Sequence, residues 1–169
     1  VKFAKIEFGE DGNPISVDMY ENGTICRRNY YDDRGFVAGS VVYEEGEEQY
    51  QDYLMENGIW KIRQFFSDGH VEVNGSCPNY DLLSEEGIRE LPFSKRCYGS
   101  LDEVIEEVLT SYIGLTKPED KFFVAAHPLH LPLLGRCLAG KPIVLTFFED
   151  RFDYSKLGEI RDFVEQSSY

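Results

Sequence analysis

Six glycines at almost equal spacing constrain the fold of this chain more than any other feature of its sequence. Successive members of the set are 11 or 12 residues apart, and each lies in a polar turn. They are Gly12, Gly23, Gly35, Gly46, Gly58 and Gly69. Asn-Gly and Asp-Gly pairs supply the positive φ angles that tight hairpin turns require. Because the runs between the turns are rich in Val, Ile, Tyr and Phe, the pattern predicts consecutive antiparallel hairpins.

The turns divide the first 75 residues into seven predicted strands. We expect them near residues 2–8, 14–20, 24–31, 36–43, 48–55, 59–66 and 70–74. In the second strand Ile15, Val17 and Met19 alternate with more polar side chains, which is the period of a sheet covered on one face. Two interpretations stay open. The sheet lies on another domain, or it exposes an aromatic-rich surface that binds a protein or a glycan.

Large rings in the predicted sheet are candidates for contacts with a partner. The candidates are Tyr30, Tyr31, Tyr50, Tyr53 and Trp60. Such rings can stack on sugars or peptides, and protein interfaces are enriched in Tyr, Trp and Arg. The alternative is that half of them pack against a domain outside this chain.

Residues 76–99 separate two regions whose patterns differ. Pro78, Gly87, Pro92 and Gly99 occur there with little periodicity, so we expect a long irregular connection. The predicted organisation is therefore a β-meander over residues 1–75, the connection over residues 76–99, and an α/β segment over residues 100–169.

The α/β segment opens with a helix signal. Ser100 and Glu103 form a capping box, and apolar residues then recur at helical spacing as far as Tyr112, so this stripe should be buried. Pro118 blocks further extension.

Two continuous apolar runs follow, at residues 122–126 and 142–147, and both are typical of buried parallel strands. A short helix is predicted between them over residues 129–139, and another after Ser155. Strand, helix, strand and helix in this order predict a βαβ unit. The fold class is therefore mixed α+β, with an extended antiparallel meander followed by a partial Rossmann-like segment.

Ligands in open α/β sheets bind beyond the carboxyl ends of the strands, and two polar segments lie there. His127 and His130 follow the first predicted strand. Two histidines three residues apart can bind a metal ion, and either one can serve as a general base or a sugar contact. The competing interpretation gives both a structural role.

The second polar segment follows the second predicted strand and contains Asp150, Arg151 and Asp153. Asp150 and Asp153 could hold a divalent cation, as in a sugar-nucleotide enzyme, and Glu149 with Asp153 could form an acid–base pair. Alternatively, Arg151 neutralises its neighbours and Asp153 or Ser155 caps the next helix.

Common catalytic and cofactor motifs do not occur in this sequence. It contains no G-x-G-x-x-G, no phosphate-binding G-x-x-x-x-G-K-[ST], no G-x-S-x-G and no C-x-x-C. We therefore expect no cofactor, no metal and no catalytic site assembled by spacing alone.

Charge and composition exclude several classes of protein. The 169 residues carry a net charge of −14, which disfavours nucleic acid and anionic lipid as partners. No apolar run is long enough for a membrane span, and no leader pattern opens the sequence. We expect a cytoplasmic protein with reduced cysteines, and the first residue, Val1, suggests a piece of a longer chain.

Six segments, in this order, resemble the "Asp one" family of the accessory Sec system, which serves export of serine-rich-repeat adhesins in Gram-positive bacteria. The family's ASHPQHN-like loop is similar to AHPLH here, and its LSFFENRFD-like segment to LTFFEDRFD. The segments are residues 30–36, 50–54, 60–63, 70–74, 126–130 and 145–153. The match covers nearly the whole chain, although residues 76–95 are longer than the family pattern.

The resemblance implies a GT-B-like architecture in which an extended β-sheet domain is inserted into the first Rossmann-like half. It also implies a non-catalytic protein that assembles with two sister components and a dedicated SecA-type motor. The assembly would help to deliver the glycosylated adhesin to the translocon, so the protein would work at the inner face of the membrane without spanning it.

Two other functions stay open at this point. The chain could be the acceptor-binding part of a GT-B glycosyltransferase that modifies such adhesins, with Asp150 or His127 near the chemistry. It could also be a scaffold whose hairpin array only stabilises an oligomer.

Overall fold

A computed structural model describes residues 3–77, 80–84, 87–90, 93–125, 127, 130–146, 158 and 161. These residues form twelve strands and two helices. The strands are β1 (Ala4–Phe8), β2 (Pro14–Glu21), β3 (Thr24–Tyr31), β4 (Val37–Glu44), β5 (Glu47–Leu54), β6 (Trp60–Phe65), β7 (Val71–Val73), β8 (Tyr80–Ser84), β9 (Gly87–Glu90), β10 (Cys97–Tyr98), β11 (Phe122–Ala125) and β12 (Ile143–Thr146). The helices are α1 (Leu101–Gly114) and α2 (Leu131–Cys137). The chain divides into two compact units, Val1–Val104 and Ile105–Tyr169.

The first unit is built on an antiparallel sheet of eight strands in the order β1-β2-β3-β4-β5-β6-β7-β10. All six periodic glycines have φ between 77° and 89°. At two turns the preceding residue, Asn22 or Glu45, is also left-handed, which matches the twist of a two-residue hairpin. The predicted meander is confirmed, and its seven strands lie within two residues of the expected bounds.

The segment over residues 76–99 differs from the irregular connection that the sequence predicts. Strands β8 and β9 pair with each other as a hairpin, and β10 joins β7 as the last strand of the large sheet. These strands have five, four and two residues. Strands this short do not display a period that a sequence pattern can reveal.

Strand β2 has the predicted alternation, but its buried face is the polar one. Ser16 and Asp18 are 6% and 5% exposed, whereas Ile15 and Met19 are 48% and 43% exposed. Asp18 lies directly opposite Arg28 of β3, whose guanidinium covers it. A long charged side chain therefore buries the polar face of this strand, where apolar packing would be expected.

The hydrophobic core of the first unit lies where β7 and β10 meet the start of α1. Val71, Tyr98 and Val104 are almost fully buried there, and Phe93 packs against them. The predicted capping box fixes this helix end: the Glu103 N–H donates to Ser100 Oγ at 3.3 Å, and the Glu103 carboxylate accepts from the Gly99 N–H. Further along the helix, Ile105 is 37% exposed, contrary to the expectation that the whole stripe is buried.

The second unit contains a parallel pair of strands, as the sequence predicts. β11 pairs in register with β12, and α2 connects them in sequence. Val124, Leu131 and Leu138 form its buried core. The helix predicted after Ser155 lies outside the described residues, except for Gly158 and Arg161, which are helical.

Neither of the helices in the described part of the chain combines the length and hydrophobicity that a membrane crossing requires.

Candidate functional site

The register of the meander divides the five aromatic candidates between two faces. Directly opposed residues of antiparallel strands point to the same face, so Asp52 and Arg63 define one face and Asp18 and Arg28 the other. We call these the Arg63 face and the Arg28 face. Tyr31, Tyr50 and Trp60 belong to the Arg63 face, and Tyr30 and Tyr53 belong to the Arg28 face.

Arg63 organises a cluster at the centre of its face. Its Nε and Nη2 donate to the two oxygens of Asp52 at 2.6 and 2.9 Å, which is the bidentate fork that holds a guanidinium plane in place. The same guanidinium carbon lies 4.1 Å from the ring centre of Tyr50 and 4.8 Å from that of Trp60. Two rings that are ten residues apart in sequence are thus gathered around one cation.

A β-bulge makes this gathering possible. Between the pairs Tyr53–Ile62 and Leu54–Trp60 the register shifts by one residue, so Lys61 is the extra residue of β6. Without the shift, Trp60 would alternate onto the same face as Ile62 and away from Arg63.

The cluster has a simple electrostatic consequence: the hydrogen bonds with Asp52 raise the pKa of Arg63, so the cation is permanent.

A second fork lies on the Arg28 face. Arg28 donates to the two carboxylate oxygens of Asp18 at 2.5 and 3.1 Å. These hydrogen bonds lower the pKa of Asp18, although burial of the carboxyl opposes the effect. Asp18 therefore stays ionised although it is only 5% exposed.

The tyrosines of the Arg28 face differ in accessibility. Tyr30 is 36% exposed. The Tyr53 hydroxyl donates to Gln64 at 3.3 Å, and burial raises the pKa of Tyr53. Tyr43, which was not among the candidates, donates to Glu48 at 3.0 Å, and burial raises its pKa to about 12. Tyr53 and Tyr43 thus act as neutral hydrogen-bond donors within the sheet.

The sequence pattern did not single out the four charged residues of the two forks. The sequence nevertheless carries a signal for them in the spacing of charged residues from the turn glycines. Asp18 and Arg28 are each five residues from Gly23. Asp52 and Arg63 lie six and five residues from Gly58. In a hairpin, opposite charges at equal distance from the turn become cross-strand neighbours. The one-residue bulges, which no sequence pattern marks, hide the exact pairing.

His127 and His130 lie where the sequence predicts, after the carboxyl end of β11. Their ring centres are 4.8 Å apart. The His127 carbonyl accepts the backbone N–H of His130, which precedes α2. The Nδ1 atom of His127 is buried and has no hydrogen-bond partner among the described residues.

Asp150, Arg151 and Asp153, the remaining candidates, lie outside the described residues. Within the described ranges no three His, Cys, Asp or Glu side chains come together as metal ligands. An apolar pocket of about 510 Å³ lies beside β11, lined by Leu109, Ile113, Val124 and Leu138 among others. Its lining consists mostly of hydrocarbon and offers little to a charged nucleotide sugar.

A family model described as the accessory Sec system protein "Asp one" matches residues 2–168. The chain belongs to this accessory Sec family. A curated protein of Streptococcus gordonii with the same description is 32% identical over 163 residues, which are 94% of this chain and 29% of the relative. The chain thus spans less than a third of the length of that accessory Sec protein.

Solved structures agree with the family assignment and extend it to the fold. A crystal structure of accessory secretory proteins 1, 2 and 3 from Streptococcus pneumoniae superimposes with a TM-score of 0.78 at 28% identity, over 98% of this chain and 32% of the matched one. A GtfA/B complex bound to UDP and GlcNAc superimposes with a TM-score of 0.58 at 17% identity, over 92% of this chain and 33% of the matched one. The accessory Sec chain therefore has the fold of one part of a GT-B-like protein, as the resemblance implied.

Proposed function

We propose that the protein carrying this chain is a non-catalytic adaptor of accessory Sec export. It binds two sister components and the SecA-type motor, and it helps to deliver glycosylated serine-rich-repeat adhesins to the translocon from the cytoplasmic side. One observation carries the proposal: nearly the whole chain superimposes on a structure described as accessory secretory proteins 1, 2 and 3.

The meander is the proposed contact surface for a sister component or a glycan. Trp60 and Tyr50 are held by Arg63 and give up little side-chain freedom on binding. Trp, Tyr and Arg are also the residues that most often dominate binding energy at protein interfaces. Tyr31 lies on the same face, and Tyr30 and Tyr53 offer the corresponding surface on the Arg28 face.

Substitution of Trp60 tests the proposed contact. In the full-length protein, we expect Trp60→Ala to weaken capture of the sister components at least about tenfold and to reduce adhesin export. Phe36→Ala is the matched control, since Phe36 is an exposed ring, 43% accessible, outside the Arg63 cluster. Wild-type binding by both Trp60→Ala and Tyr50→Ala would remove the Arg63 face from the proposal. Wild-type export in cells that lack the protein would overturn the adaptor function itself.

The second candidate function is the acceptor-binding part of a glycosyltransferase. It is favoured by the His127 imidazole, which follows the parallel strand β11. Its Nδ1 atom is buried and has no hydrogen-bond partner among the described residues. In this case His127 or Asp150 would act near the reacting atoms, and His130, Arg151 and Asp153 would contact the donor or acceptor. Turnover of a sugar nucleotide by the full-length protein, lost in His127→Ala or Asp150→Ala, would support it. No turnover across a broad donor panel would exclude it.

A further inference from the structure

The first strand of the meander has one unoccupied edge in the described part of the chain. β1 pairs with β2 on one side, and no described strand pairs with its other side. All five residues of β1 are exposed. Such an edge offers a row of backbone donors and acceptors to another strand.

The hydrogen bonds of the flanking residues show which backbone groups face this edge. Phe3 accepts from the Tyr20 N–H at 2.9 Å, and the Gly9 N–H donates to Asn13 at 2.8 Å, so both flanks point toward the β2 side. Hydrogen-bonded positions alternate along an antiparallel strand. The N–H and C=O groups of Ala4, Ile6 and Phe8 therefore face outward, and those of Lys5 and Glu7 face β2.

We propose that this edge pairs with β1 of a second copy of the protein, antiparallel and centred on Ile6. The sequence of the strand, Ala-Lys-Ile-Glu-Phe, complements itself in this register. Lys5 lies opposite Glu7 of the second copy, Glu7 opposite its Lys5, and Ile6 opposite its Ile6. Ala4 faces Phe8, so a small side chain meets a large one.

The geometry of the pairing favours the two charge contacts. The outward backbone groups make Ala4, Ile6 and Phe8 the hydrogen-bonded positions across the two-fold axis. Lys5 and Glu7 then occupy non-hydrogen-bonded positions, where opposed side chains approach most closely. A run of lysines on an edge strand would repel a second copy, whereas one lysine and one glutamate spaced two residues apart attract it.

The apolar face of β1 supports the same arrangement. Ile6, Ile15 and Met19 are 50%, 48% and 43% exposed and share one face of β1 and β2. Pairing across the axis joins this patch to its copy in a continuous apolar stripe on a sheet of sixteen strands. Because only five residues pair on each side, we expect a weak dimer that depends on concentration.

A charge swap tests the pairing in the full-length protein without its sister components. Sedimentation over a range of concentrations measures the dimer dissociation constant. Lys5→Glu and Glu7→Lys should each raise it at least about tenfold, because both charge contacts become repulsive. The double variant Lys5→Glu/Glu7→Lys should recover the wild-type value, and a mixture of the two single variants should form a heterodimer.

Glu44→Lys is the matched control, because Glu44 is an exposed end residue of β4 and the change in net charge is the same as in Glu7→Lys. It should leave the dissociation constant unchanged. A protein that is monomeric at every concentration overturns the proposal, and so does a dimer that both single variants leave intact. If the single variants dissociate and neither the double variant nor the mixture recovers the dimer, the proposal is also overturned, since another segment would then occupy the edge.

Discussion

Two arginine–aspartate forks, one on each face of the meander, explain how a single-layer sheet buries polar side chains. In each fork the two residues are direct cross-strand partners, Asp18 with Arg28 and Asp52 with Arg63. The guanidinium satisfies the carboxylate with two hydrogen bonds and covers it with its hydrocarbon stem. The forks therefore replace part of the apolar core that the outer strands do not have.

Loss of Arg63 should destabilise its part of the sheet. Arg63→Ala leaves Asp52, 8% exposed, without its hydrogen-bond donors and removes the cation between Tyr50 and Trp60. We expect the free energy of local opening of β5 and β6 to fall by about 2 kcal/mol, measured by hydrogen exchange of the full-length protein. Arg34→Ala is the control, since the Arg34 side chain is 59% exposed beside Asp32 and Glu56. Equal effects of the two variants would contradict the structural role of the Arg63 fork.

The Asp18 fork should make stability depend on acid. The pKa of Asp18 lies below its ordinary value of 3.8 because Arg28 donates two hydrogen bonds to its charged form. The stability that the fork contributes is fully present above the ordinary pKa of 3.8. It is lost as the pH falls through the lower pKa that Asp18 has in the folded protein. We expect Asp18→Asn to lower the melting temperature at neutral pH and to flatten its fall in acid, measured by scanning fluorimetry. Asp33→Asn is the control, because Asp33 lies in an exposed turn, and this variant should keep the wild-type dependence of the melting temperature on pH. If the melting temperature of Asp18→Asn falls in acid as steeply as that of the wild-type protein, the fork adds no acid dependence.

At the scale of the element, the capping box of α1 should contribute measurable stability. Ser100→Ala removes the acceptor of the Glu103 N–H, so we expect the first turn to lose about 1 kcal/mol of protection against hydrogen exchange. Ser111→Ala is the control within the same helix, because Ser111 is exposed and its hydroxyl donates to the Glu107 carbonyl one turn earlier. If both variants exchange like the wild-type protein, the cap does not stabilise the helix.

Elements whose signals are local could be predicted from the sequence. Each hairpin of the meander carries its own turn residues, and α1 carries its own cap and apolar stripe. Strands β8, β9 and β10 carry no such signal, and the position of β10 depends on a distant partner, β7. The aromatic candidates Tyr50 and Trp60 could be named, but their meeting at Arg63 depends on the bulge at Lys61, which moves Trp60 to the other face.

At the scale of the whole molecule, the chain spans 29% of the length of a curated accessory Sec relative, so the sheet and the α/β segment match one part of that protein. An excess of acidic residues, with a net charge of −14, disfavours nucleic acid and anionic lipid as partners. The meander has two faces, one centred on Arg63 and one on Arg28.

The adaptor function is tested most directly by purifying the full-length protein together with its two sister components and measuring the mass by size-exclusion chromatography with light scattering. We expect a single peak that contains all three proteins at one defined mass. Separate elution of this protein from the sister components would contradict it.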